Sequence, residues 1–442
     1  MSRAKGFSIE RAEREFKELL RIPSVTGSSG PAGNELKAVE YLEGILAEYS
    51  VERVRIAKDP NRPNLLASLR ADCPVEPPVV LISHIDVVDG DPSRWRYPMF
   101  SGETHDGRIW GRGALDTKHL TMMELYGFLR LLGRPLKRDV YFLATVDEEA
   151  GSEYGMAYVK KERPDLFRKA LVINEGGGFP LRVNGRDYIT ITTGEKAMCR
   201  IKLRADAAGD AGAMQRLAHA LERVFRDEEA LDLGGRGTAT AMKAALGQGP
   251  IDNAVAADIL AYAEQCTIGM RDFVLGGRGK PPKSHEEAVL EFKVRPSGGA
   301  GTFGGAGTSG GAEDVLAFVA ERLEGTGVSC ELLDYQPGFE STPLNSALGA
   351  VTDRLRAVCA EQGFACEPLP MLALGRTDGR FFGSEGSEVY GCSPVLIDDS
   401  FDVTLPKVHG DNESISVKSF RFGCAVLDSL LAWLCRGCAE EV

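Results

Sequence analysis

Four apolar runs, NLLASL at 64–69, VVLIS at 79–83, VYFLATV at 140–146 and ALVIN at 170–174, alternate with helix-patterned stretches over the first 190 residues. Runs of this length are apolar at successive positions, so both faces of each strand must be covered, as happens in a mainly parallel sheet packed between helices. The segment HLTMMELYGFLRLLG at 119–133 supplies one such helix, and Ser8 followed by IERAEREFKELLRI reads as a capped amphipathic helix. In that helix Phe16, Leu19 and Leu20 share a face and Ile22-Pro23 closes the pattern. The expected fold is α/β in three layers.

The runs deliver polar residues where strands should end. VVLIS continues into His84 and Asp86, VYFLATV into Asp147, Glu148 and Glu149, and LVIN into Glu175. In a parallel sheet these ends lie on one edge, where α/β proteins keep their ligands. With six histidines and 64 acidic residues in 442, an acid two places after a histidine is expected about once by chance. The pair His84/Asp86 therefore gains weight only from its recurring company: Asp116 in GRGALDTK, the acidic run, Glu175 in LVINEGGG and His409 in KVHGDNES.

Together these groups make two imidazoles and several carboxylates, a donor mixture suited to zinc, manganese or cobalt. A single catalytic zinc usually takes three protein ligands and keeps a position open. Five ligands fit two metals sharing a carboxylate, and Asp116 is the best bridge because the glycines of its loop let the backbone approach closely. Asp86 would orient His84 from behind. Glu148 and Glu149 can both face the cleft only in an irregular loop, since neighbours in an extended strand point opposite ways. One then ligates while the other serves as general base toward the attacking water.

A chain of 442 residues exceeds one ordinary core, so two domains are expected. Residues 193–336 change character, with strand-like TITTGEKAMCRIKLRA, AVLEFKV and VSCELLDY around helical QRLAHALERVF and AEDVLAFVAERLE. The expected organisation is a catalytic domain from 1–192 and 337–442, interrupted by a small α+β domain at 193–336. The charged N-terminal stretch and the lack of any run near 18 apolar residues lead to the expectation of a soluble cytoplasmic protein without a membrane partner. A formal charge of −12 argues against nucleic acid and favours cations. Ten irregularly spaced cysteines read as reduced thiols, and Cys435/Cys438, the one CxxC, as structural.

In order and wording, the motifs SHIDVV, GRGALDTK, DEEAGS, NEGG, TGEK, GRTDGRFF and HGDNES resemble the co-catalytic zinc metallopeptidases of the aminoacylase, carboxypeptidase G and succinyl-diaminopimelate desuccinylase group. The resemblance covers nearly the whole chain. It implies a di-zinc hydrolase in which His84, Asp116 and Glu175 hold one metal and Asp116, Glu149 and His409 the other. It further implies Glu148 as general base, Asp86 as orienter of His84, and Arg380 as the group that binds a substrate carboxylate, which guanidinium geometry suits. The inserted domain would be a lid that often mediates homodimerisation.

The lid departs from that pattern. The family commonly carries a glycine-flanked histidine here that stabilises the oxyanion, whereas this chain reads DAAGDAGAM, and His219 and His285 fall in helix and strand patterns that give them structural roles. The glycine-rich stretch 298–311 contains two G-x-G-x-x-G matches but is separated from its strand by Arg295-Pro296-Ser297, and reads as a low-complexity loop rather than a nucleotide site. The function expected is hydrolysis of an amide or peptide bond beside a free carboxylate, in an N-acyl amino acid or small peptide. The rivals are a lid-altered enzyme of amide formation, elimination or decarboxylation, and a non-catalytic metal- or partner-binding protein.

Overall fold

The computed structural model describes residues 6–26, 35–206, 212–247, 249–274, 285–296, 311–341, 346–383 and 385–436. The glycine-rich stretch up to residue 310, most of DAAGDAGAM and Cys438 lie outside the described residues.

A ten-stranded sheet forms the centre of the larger part of the molecule. The strand Val79–His84 lies between Val140–Thr145 and Leu171–Asn174, parallel to both, and Glu388–Gly391 continues the parallel set beside Leu171–Asn174. Toward one edge the sheet turns antiparallel: Asn64–Leu69 pairs antiparallel with Val140–Thr145, as does Glu52–Ile56 with Asn64–Leu69. The sheet is thus mixed, with its parallel section carrying the strand ends singled out above.

Both faces are covered. Val79 and Leu81 pack with Phe16, Phe128, Phe142 and Phe420 beneath the helices Ile9–Leu20, Lys118–Arg130 and Val417–Cys435. Val80 and Ile82, pointing the other way, pack with Leu143, Met156, Val159 and Phe167. Period-2 alternation in a strand buried on both sides produces these two cores. Ser8 caps the first helix by accepting from the Arg11 N–H at 3.3 Å, and Ser416 caps the last by accepting from the Ser419 N–H at 3.0 Å.

The stretch TITTGEKAMCRIKLRA divides at Lys196. Arg186–Glu195 belongs to the large sheet, while Ala197–Asp206 is a central strand of a separate antiparallel four-stranded sheet with Thr267–Val274, His285–Val294 and Ser329–Gln336. The helices Ala213–Arg226 and Ala312–Leu323 cover one face of that small sheet through Leu217, Val224, Val315 and Val319. The helices Gly237–Leu246 and Ala254–Glu264, between these elements in sequence, instead bury Met242, Leu246 and Ile259 against Leu369 and Met371 of the large sheet. Among the described residues no helix is long and apolar enough to cross a membrane.

Candidate metal centre

His84 is the last residue of its strand, 2% exposed, at the edge where the parallel strands end. Its Nδ1 lies 2.9 Å from the backbone carbonyl of Asp86, which as acceptor fixes the proton on Nδ1 and leaves Nε2 to face the cleft. That Nε2 is 3.0 Å from Asp116 Oδ1 and 3.4 Å from Glu175 Oε2. The other oxygen of Asp116 is 3.0 Å from His409 Nε2, which is 2.9 Å from Glu149 Oε2. One carboxylate therefore stands between two imidazoles contributed by residues 84 and 409.

Each of these side chains is aimed by local structure. Asp147 takes a left-handed conformation (φ 64°), breaking the strand so that Glu148–Ala150 forms a tight 3-10 turn. Its own carboxylate holds that conformation by accepting from Tyr154 N at 2.9 Å and from Arg62 Nη2 at 2.7 Å. Asp86 sends its two carboxylate oxygens to the N–H groups of Glu148 and Glu149, at 3.3 and 3.2 Å, while standing 3.6 Å from the His84 ring nitrogen. The contact orienting His84 is thus made by the Asp86 carbonyl, and the Asp86 carboxylate clamps the turn that presents both glutamates. His409 also sits in the left-handed region (φ 57°), a conformation costing on the order of 1 kcal/mol in a non-glycine residue and concentrated at functional sites.

Glu413, quoted in HGDNES but assigned no part by sequence reasoning, proves central. Fully buried, it accepts from the N–H groups of Leu115 (2.6 Å), Asp116 (3.1 Å) and Gly113 (3.2 Å) and from Arg112 Nη1 (2.9 Å). It holds the loop that carries Asp116. Asp378, in TDGR, accepts from Thr145 Oγ1 at 2.7 Å and Ser152 Oγ at 2.6 Å. Arg380 is 7% exposed, donates to Thr377 O at 2.5 Å and Ser152 Oγ at 3.1 Å, and places Nη1 3.8 Å from Glu148 Oε1. His219 is an exposed helix residue 3.6 Å from Glu222, and His285 opens a strand 3.2 Å from Glu287.

Burial tends to lower the His84 pKa, but the carboxylates of Glu175 and Asp116 outweigh it and hold the imidazole well above its ordinary value. Hydrogen bonds to Asp116 and Glu149 raise His409 to about 10. Asp116 is driven the other way: the two histidines overcome its burial and pull it below the usual carboxylate range. Burial raises Glu148, Glu149 and Glu175, reinforced by neighbouring carboxylates: Glu175, Asp378 and Glu149 around Glu148, Asp116 beside Glu149, and Asp116 and Asp378 beside Glu175. A cluster that draws protons onto its imidazoles in this way is short of positive charge.

The ligand atoms of His84, Asp116 and Glu149 lie within 4.8 Å of one another, as do those of His84, Glu148 and Glu175. Among the described residues, Glu149 Oε1 is buried without a hydrogen-bond partner. An orphaned carboxylate oxygen in a nitrogen and oxygen donor set fits a divalent cation. The centre opens into a pocket of about 250 Å³ with apolar walls from Phe179, Leu374, Phe401 and Leu405.

The model of Peptidase family M20/M25/M40 matches residues 80–433. The chain belongs to that family. Among curated relatives it is 37% identical over 102 residues to the Xenopus tropicalis N-fatty-acyl-amino acid synthase/hydrolase PM20D1, covering 22% of this chain and 20% of the relative. It is 31% identical over 132 residues to a probable succinyl-diaminopimelate desuccinylase of Staphylococcus epidermidis, covering 29% of this chain and 32% of the relative. The matched regions thus span between a fifth and a third of those relatives' lengths. The fold is shared with an M20 family metallo-carboxypeptidase, Sso-CP2 of Sulfolobus solfataricus, at TM-score 0.67 and 19% identity over 95% of this chain and 98% of that one.

Proposed function

We propose that this protein is a metal-dependent hydrolase of an amide or peptide bond beside a free carboxylate, with an N-acyl amino acid or a small peptide as substrate. One observation carries the reading: the two oxygens of Asp116 reach two imidazoles, each 3.0 Å away, with Glu175 behind one and Glu149 behind the other. His84, Asp116 and Glu175 would hold one divalent ion, and Asp116, Glu149 and His409 a second, zinc fitting this donor set best. When bound, such a pair supplies Lewis-acid polarisation of the scissile carbonyl and acidifies water.

The chain's own residues do the rest. Glu148 borders both the metal centre and the wider cleft, and burial raises its proton affinity. It would accept a proton from the attacking water and return it to the leaving amine. The Asp86 carboxylate fixes the backbone from which Glu148 and Glu149 project. Arg380 would bind the substrate carboxylate, and an acylated amino acid as substrate is in keeping with the two curated relatives, an N-fatty-acyl-amino acid synthase/hydrolase and a probable succinyl-diaminopimelate desuccinylase. Within the expected insertion at 193–336, the small sheet with the helices Ala213–Arg226 and Ala312–Leu323 would act as a lid over this centre, while the helices Gly237–Leu246 and Ala254–Glu264 pack with the catalytic part formed by 1–192 and 337–442.

The test is metal content together with cleavage. Protein prepared without added metal should contain about two equivalents of zinc or manganese per chain and cleave members of a panel of N-acyl amino acids and dipeptides, with loss of cleavage on chelation and recovery on metal return. Protein that neither retains nor takes up metal would end the proposal.

A further inference from the structure

Away from the metal centre, two cysteines are brought together by a single turn of chain. Cys359 lies in the last turn of the helix Ser346–Glu361, and Cys366 stands directly before the strand Glu367–Ala373. The Phe364 N–H closes the turn between them by donating to the Cys359 carbonyl at 3.1 Å, with Gly363 in the left-handed region (φ 84°). A glycine takes that conformation without the Cβ penalty other residues meet, so the helix can end and the chain reverse within a few residues. Both side chains are free thiols, 0% and 5% exposed, and their sulfurs lie 2.6 Å apart.

Reactivity separates this pair from the other buried thiols. Burial pushes Cys199 up to about 11 and both Cys392 and Cys435 up to about 12, so each stays protonated and inert. Cys366 goes the other way: contact with Cys359 holds it below the usual thiol range, and Arg356 adds to the effect. The same contact, together with burial, pushes Cys359 up. Thiolate character therefore collects on Cys366, which also has access. It lines a cavity of about 1320 Å³ walled by Tyr188, Thr240, Ala244, Leu348 and Phe364, with the exposed Arg186 and Arg356 beside them. None of the described residues of the metal centre lines this cavity.

We propose that Cys359 and Cys366 form a reversible thiol–disulfide exchange site whose reactant is a low-molecular-weight disulfide admitted through this cavity. The Cys366 thiolate attacks one sulfur of the small disulfide, whose S–S bond breaks as a mixed disulfide forms on Cys366, and the departing thiolate takes up a proton. Cys359 then gives up its proton and attacks Cys366 Sγ, expelling the second small thiol and leaving a bond between the two protein sulfurs. Two protein thiols are oxidised and one small disulfide is reduced to two thiols, so the electrons balance without a further oxidant. The two arginines suit a reactant that carries carboxylates. The new bond ties the end of the helix to the start of the strand.

The experiment treats the full, metal-loaded chain with glutathione disulfide at graded ratios to glutathione, blocks the remaining thiols with iodoacetamide and maps the peptides by mass spectrometry. The expected product is one Cys359–Cys366 disulfide, formed while Cys199, Cys392 and Cys435 stay reduced and undone by dithiothreitol. On the native reduced protein, limiting iodoacetamide should alkylate Cys366 at least about tenfold faster than Cys392 or Cys435. Cys359→Ser should halt the reaction at a glutathione adduct on Cys366, and Cys366→Ser should leave Cys359 unmodified. If Cys359→Ser does not fold, the wild-type peptide map decides alone. Recovery of both cysteines in alkylated form after the disulfide treatment would overturn the site, as would pairing of Cys366 with any cysteine other than Cys359.

Discussion

At the scale of the residue, the centre divides its labour between groups that reach toward ligands and groups that hold them still. Glu148 belongs to the first kind. It is adjacent in sequence to Glu149, and the turn that follows left-handed Asp147 presents both, so that in the proposed hydrolase one would serve as base and the other as ligand. Glu148→Gln keeps the volume and the buried hydrogen-bonding capacity while removing the basic oxygen. Metal content by atomic absorption should remain at the wild-type level while kcat falls by roughly 10²–10⁴. A variant retaining a third of wild-type turnover would remove Glu148 as the base. Glu413 belongs to the second kind, since it touches three backbone N–H groups and Arg112. Glu413→Ala would leave those donors unsatisfied, at about 1–3 kcal/mol each. Its expected signature is the reverse of the Glu148 change: lowered thermal stability and weakened metal retention. The contrast marks what a sequence discloses. His84, Glu149 and Glu175 were legible because apolar runs deliver them at strand ends, whereas the duty of Glu413 depends on a loop some 300 residues earlier in the chain, and no local pattern encodes such a pairing.

At the scale of the element, the most consequential joint is the step from Arg186–Glu195 to Ala197–Asp206, where one run of strand-like sequence changes sheets across the single residue Lys196. The uninterrupted apolar alternation concealed this break. The helices Gly237–Leu246 and Ala254–Glu264 were missed for a related reason: they are rich in alanine, and their buried face meets the distant strand Glu367–Ala373 rather than a sequence neighbour. Glu195 anchors the joint, its Oε2 accepting from Thr377 N at 3.0 Å and Thr377 Oγ1 at 3.1 Å. Burial raises it to about 7 against the partial compensation of Arg380 and Arg376. A carboxyl whose folded pKa lies above its unfolded value favours folding while protonated, so its contribution is fully present below about pH 4.5 and is lost as pH rises through about 7. Glu195→Gln keeps an acceptor for Thr377 and removes the titration. Relative to the variant, wild type should lose stability between about pH 4.5 and 7, by on the order of 3 kcal/mol in all. Denaturation measured in parallel across that range tests it, and curves for the two proteins that stay parallel would show that Glu195 is ionised without penalty.

At the scale of the whole molecule, the small sheet poses a question that the large one does not. Its two outer strands, Thr267–Val274 and Ser329–Gln336, each have a free edge within the described sheet, and each carries exposed apolar side chains: Met270 and Phe273 on one, Leu332 and Leu333 on the other. Free edges bearing apolar residues are sites where natural sheets either add charge or find a partner. Resemblance to the metallopeptidases led to the expectation of a homodimer through this part of the chain, and the edges give that expectation a location. A symmetric pairing would join the same edge of two copies, burying equivalent residues twice. The predicted outcome is a dimer in sedimentation equilibrium at micromolar concentration, with Leu332→Lys combined with Leu333→Lys shifting it to monomer while metal content stays constant. The substitutions fall on exposed positions remote from the large sheet, so folding should survive, and far-ultraviolet circular dichroism would verify it. A monomeric wild type would mean that the edges are left bare, whereas a dimer indifferent to the double substitution would move the interface to the opposite edge, where Met270→Lys with Phe273→Lys repeats the test.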